Sequence, residues 1–129
     1  MINPPDAVVA ARSFPRRWRE LFASTASDDD GREVLQRSGA PALAQQAAGV
    51  LETTATRLLH GATATYGHAR GLDLLEHHAN FLAQVIDRVR PEDWTDDRME
   101  ALTEGIDAAA ELLRRAEAAI EEARAARGG

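Results

Sequence analysis

The stretch that decides the fold is 99-MEALTEGIDAAAELLRRAEAAIEEA-123, in which Met99, Leu102, Ile106, Ala109, Leu113, Ala116, Ile120 and Ala123 recur at alternating spacings of three and four. That alternation puts all eight on one stripe of an α-helix. A seam of this kind packs against its neighbours at a shallow angle, as in antiparallel bundles. Thr95 is suited to cap the helix, with Asp96 and Asp97 favourably placed in its first turn. Residues 124–129 are expected to fray.

Working back from this helix, the same periodicity appears from Leu72 to Val89, where Leu75, His78, Leu82, Val85 and Val89 share a face. Pro91-Glu92-Asp93-Trp94 ends that segment. Ala62 to Gly71, with Tyr66 and His68 among small residues, reads as a loop. Before it, a helix opens at Pro41, carries Leu43, Ala47, Val50, Leu51, Thr54 and Leu58, and closes at His60-Gly61. A short helix through Val34 and Leu35 is opened by Asp28-Asp29-Asp30-Gly31 and closed by Ser38-Gly39-Ala40-Pro41. The first helix is expected to start at Asp6 as N-cap and to carry Phe14, Trp18 and Phe22 on its apolar stripe. Pro15 should bend or restart it between Ser13 and Arg16. The sum is an all-α single domain over residues 1–129, an up-down four-helix bundle with a short extra helix after the first. Trp18, Leu75, Leu82, Leu102, Ile106 and Leu113 are predicted to share its core.

Composition agrees and sets limits on function. The 129 residues are 44% hydrophobic and 28% charged, a globular balance, and the 26 alanines favour helix throughout. No run of about 18 apolar residues is present, and no basic segment leads into an apolar one near Met1, so neither a membrane span nor a secretion signal is expected. Cytoplasmic residence is the resulting expectation. A net charge of −6 argues against nucleic-acid partners. The absence of cysteine removes disulfides, thiolate metal sites and cysteine nucleophiles.

Chemistry near neutral pH rests on four histidines, His60, His68, His77 and His78. No two stand three or four apart on one helix, as a ligand pair needs, and none has Glu three residues before it, as a di-iron bundle needs. His78 falls on the buried stripe and reads as a core or groove residue. Arg12, Arg16, Arg17 and Arg19 form a basic cluster around Phe14 and Trp18 that suits a phosphate or an acidic partner, but reads first as the solvated back of an amphipathic helix. Glu111 with Arg114 or Arg115, and Glu121 with Arg124, read as surface pairs.

Three segments, Pro5-Asp6-Ala7-Val8-Val9, Arg12-Ser13-Phe14-Pro15-Arg16-Arg17-Trp18-Arg19-Glu20-Leu21 and Arg90-Pro91-Glu92-Asp93-Trp94, resemble the DinB-like superfamily. That superfamily includes actinobacterial thiol-dependent S-transferases and maleylpyruvate isomerases. The resemblance implies an up-down bundle, often dimeric, whose active members hold a divalent metal such as Zn or Ni through one histidine on the second helix and a His-x-x-x-His pair on the last. Neither helix here contains histidine, and Gly49 falls near the expected ligand position. No metal residue carries over.

The leading expectation is therefore a non-catalytic DinB-like bundle without a cofactor, acting by binding a protein or a small molecule. Trp18, Tyr66, His78 and Ile120 are the candidate ligand or interface residues. One alternative is a metal-dependent enzyme with a rearranged site drawn from His60, His68 and His78. Another is a small exported helical partner protein, although Trp94-Thr95-Asp96 lacks the Trp-x-Gly turn of that class. A homodimer through the C-terminal helix is expected as well, because its seam outruns neighbours ending at Leu59 and Val89 and would leave Ile120 and Ala123 exposed in a monomer.

Overall fold

The computed structural model describes residues 3–59 and 69–128, and every regular element among them is helical. The five α-helices are α1 (Pro4–Thr25), α2 (Asp29–Ser38), α3 (Ala40–Leu58), α4 (Gly71–Arg88) and α5 (Asp96–Gly128), with a 3₁₀ turn at Pro91–Asp93. Asn3 precedes α1, and Pro4 and Pro5 occupy its first turn, where a missing N–H costs nothing. Asp6 is thus inside the helix rather than its cap. Pro15 lies within α1 without interrupting it. The proline withholds a donor from the Ala11 carbonyl, and both it and the preceding Phe14 are buried.

The caps follow local chemistry. Asp28 Oδ1 accepts from the Gly31 amide at 2.7 Å and opens α2, and Thr95 Oγ1 accepts from the Arg98 amide at 3.2 Å and opens α5. Gly39, with φ of 77°, closes α2 and turns directly into α3, whose first turn holds Pro41.

Ion pairs between elements give their directions. Arg12 meets Asp87 while Arg19 meets Asp73 and Glu76, so α1 and α4 are antiparallel. Arg57 meets Glu104 while Gln46 and Ala108 line the same groove further on, so α3 and α5 are antiparallel. His78 stands by Glu52, and Leu58 and Leu59 stand by Val85 and Val89, so α3 and α4 run parallel. The strict alternation of an up-down bundle is therefore broken between α3 and α4. Leu59 and Gly71 therefore lie at opposite ends of the packed helices.

Around the core, α3 contacts both α4 and α5, and α1 contacts both α4 and α5. Trp18, Leu75, Leu82, Leu102, Ile106 and Leu113 share one buried cluster, as their spacing predicts. Burial of this apolar surface is the main term holding the helices together.

The expected exposure of the last seam is overturned. Ile120 is only 1% exposed within a single chain. At roughly 50 Å, α5 is longer than the ~28 Å of α3, but α2 continues the line of α3 along α5 and covers its final turns. Arg127 there reaches Asp30 at 2.6 Å and also pairs with Glu33. The expected fraying from residue 124 gives way to a helix that runs through Gly128.

Candidate functional site

His78 is brought to the α3 face of α4 and is 4% exposed. Its Nε2 stands 3.8 Å from Glu52 Oε2, across the α3/α4 interface. Burial pushes the imidazole below its ordinary value, the Glu52 carboxylate raises it in part, and His77 lowers it. Neutral imidazole is the favoured form. His77, the adjacent residue on α4, faces outward and is exposed.

Glu52 was not distinguished by sequence reasoning. The signal available was its isolation: it is the only acidic residue between Ala40 and Leu58, and it follows the fully buried Leu51. A spacing rule could not find the pair, because its members sit on different helices.

Of the other candidates, Trp18 and Ile120 are core residues. The Trp18 ring meets Phe22 edge to face with centroids 6.0 Å apart. His60, Tyr66 and His68 lie outside the described residues. Among the described residues, no group of three or more histidine and carboxylate side chains is arranged to hold a metal ion. The basic cluster is largely structural. Arg12 and Arg19 tie α1 to α4, and Arg16 meets Glu20 at 3.2 Å within α1. The neighbouring Glu76 and Asp73 raise the Arg19 guanidinium above its ordinary value.

A second feature lies between α3 and α5, where Gly49, Val50, Thr53, Gly105 and Ala108 line an open groove of about 520 Å³. The Arg57–Glu104 pair, at 3.2 Å, bounds one end. Its two glycines have different reasons to be there. A Cβ at position 105 would overlap the Thr54 hydroxyl, so Gly105 is required for the helices to approach. A Cβ at position 49 would meet nothing within 4 Å. No packing contact among the described residues calls for a glycine at position 49.

Comparison with protein-family models, curated proteins and solved structures finds no match for this chain.

Proposed function

We propose that this chain is a non-catalytic, DinB-like four-helix bundle that works by binding a protein segment in the groove between α3 and α5. The observation that carries the reading is Gly49. An exposed glycine in a helix interior costs about 1 kcal/mol relative to alanine, and here open space stands where the side chain would be. Close approach of another backbone is a use for such a position. Val50 and Ala108 supply small apolar contacts, and Gln46 and Thr53 supply hydrogen-bonding groups along the same groove. Binding at the surface is favoured over a small molecule in the interior, since Trp18, Leu51, Leu75, Leu82, Leu102 and Leu113 fill the centre.

The non-catalytic part of the reading is supported by the donor set. Metal-dependent thiol transfer of the DinB-like type calls for histidines on the helices occupied here by α3 and α5, and residues 40–58 and 96–128 contain none. A rearranged enzyme site is favoured by one observation, the His78–Glu52 pair, and would need a further ligand beside it.

The test compares the unmodified protein with Gly49→Leu, which fills the groove without touching the core. A partner cross-linked to the unmodified chain near Thr53 and lost from the variant, at an unreduced melting temperature, supports the reading. Binding that ignores Gly49→Leu removes it. One equivalent of metal in the untagged protein, lost with His78→Ala, puts the enzyme reading first.

A further inference from the structure

Resting on the reading of the α3/α5 groove as a docking surface, we infer that its occupant is a second copy of this chain, seated about a two-fold axis that crosses α3 midway between Gly49 and Val50. The outward ridge of α3 carries Ala42, Gln46, Gly49, Val50, Thr53 and Arg57 at helical spacing. Turning the chain over about that axis exchanges Gly49 with Val50, Gln46 with Thr53 and Ala42 with Arg57. The ridge thus maps onto itself, as an isologous contact requires.

The exchanges on α3 are matched in shape and in hydrogen bonding. The partner's Val50 enters the open space over Gly49, where an added Cβ has no neighbour within 4 Å. Gln46 faces the partner's Thr53. Thr54 and Thr56 donate their hydroxyls to the carbonyls of Val50 and Glu52, at 2.8 and 2.9 Å, whereas the exposed Thr53 makes no such bond among the described residues.

The same axis sets a register on α5. Thr54 and Gly105 are in contact and therefore level, and antiparallel helices advance equally per residue, so Gly49 and Val50 lie level with Ala109 and Ala110. About a point between those alanines, Glu104 exchanges with Arg115 and Ala108 with Glu111. All four are exposed. Among the described residues Arg115 has no ion pair, while Glu104 is held by Arg57 at 3.2 Å. The partner's Arg115 brings a second guanidinium to the Glu104 carboxylate, and symmetry repeats the contact. The register that fits shape on α3 is thus the one that pairs charge on α5. Arg57 and Arg115 balance Glu104 and Glu111, so the face is neutral although the chain carries −6; repulsion from the remainder is screened beyond about 10 Å in ordinary salt. Two helices over about four turns offer on the order of 500 Å² per copy, the low end for a specific contact, which makes the dimer weak and reversible.

The test is sedimentation equilibrium of the full chain from about 1 μM to about 1 mM, the range suited to a contact of this size. The mass should rise with concentration from 14.0 kDa toward twice that value. Gly49→Leu should remain monomeric throughout, at an unreduced melting temperature. Gly49→Ala should weaken association, while the dilute single chain keeps the gain of a better helix former. Arg115→Glu and Glu104→Arg, each alone, should weaken the dimer on the order of tenfold, because two attractive contacts become repulsive. Mixed in equal amounts, these two variants should associate as well as the unmodified chain, since positions 104 and 115 then carry opposite charges at both contacts. A monomer at the highest concentration overturns the inference; if Gly49→Leu then still abolishes cross-linking of another protein near Thr53, the groove reading survives without it. A dimer indifferent to Gly49→Leu overturns both. A dimer lost with Gly49→Leu, but not recovered by mixing the charge variants, overturns the two-fold register.

Discussion

Gly105 of α5 lies so close to Thr54 of α3 that a methyl group on the glycine would overlap the threonine hydroxyl, and the Thr54 Cβ itself is 2.9 Å from where that methyl would sit. Rotating the side chain does not relieve the contact, because Thr54 Cβ is fixed to the backbone. Its hydroxyl is moreover committed to the Val50 carbonyl at 2.8 Å. Gly105→Ala is therefore expected to push α3 and α5 apart and destabilise by about 1–3 kcal/mol, despite alanine's better helix propensity. Chemical denaturation measures this. The double variant with Thr54→Ala should recover part of the loss, and strict additivity of the two changes would show that the contact is not the cause.

Gly49 supplies the opposite expectation from the same pair of helices. With nothing within 4 Å of an added Cβ, Gly49→Ala should stabilise the chain by roughly 0.8–1 kcal/mol. Thermal melts of the two glycine variants side by side should move in opposite directions. A loss of stability in Gly49→Ala would mean that the fold does need this glycine, and the groove would lose its principal support as a binding surface.

At the far end of α5, Arg127 holds the last turn against α2 through Asp30 and Glu33. The guanidinium keeps the Glu33 carboxyl below its ordinary value of 4.5, so this contribution is present above that pH and is lost as acid protonates Glu33. Exposed pairs of this kind contribute little and are screened by salt. Arg127→Ala should leave the global melting temperature nearly unchanged while speeding amide exchange in residues 124–127. The acceleration should be much smaller when the comparison is made at pH 3. Equal exchange in the two proteins at neutral pH would show that the last turn does not depend on this pair.

Helix identity was legible in the sequence because the three-four alternation from Met99 to Ala123 and the caps at Thr95, Asp28 and Gly39 all act within a few residues. The continuity of α1 through Pro15 was not, since propensity alone argues for a break there and the burial of the proline is a tertiary feature. Nor was the parallel course of α3 and α4: local periodicity states that a helix exists, whereas its direction depends on which ends the connection joins. The place of α2 was missed for a related reason. Ten residues gave no indication that they would prolong α3 along α5. Of the candidate site, the buried position of His78 followed from its register with Leu75, Leu82 and Val85. Glu52 is its neighbour only in space.

Ile120 turns that missed packing into the last prediction. Sequence periodicity left its side chain without a cover, which made a second copy the natural partner for this end of α5. The structure covers it within one chain, near the end of α1 on a helix that α2 also packs against, and leaves it 1% exposed. The two arrangements assign different consequences to Ile120→Glu. If the residue sat in an interface between copies, the variant would give a folded monomer of near-normal melting temperature. Buried inside one chain, the same substitution removes a packed apolar side chain and forces a carboxylate either to remain unpaired in the core or to open the α2 contact. The expected outcome is a loss on the order of 3 kcal/mol or more, at every protein concentration. Sedimentation should show no change of mass attributable to the substitution below the unfolding transition. A stable monomer formed by Ile120→Glu from a dimeric unmodified protein would restore the C-terminal seam as an interface and contradict the packing of α2 on α5.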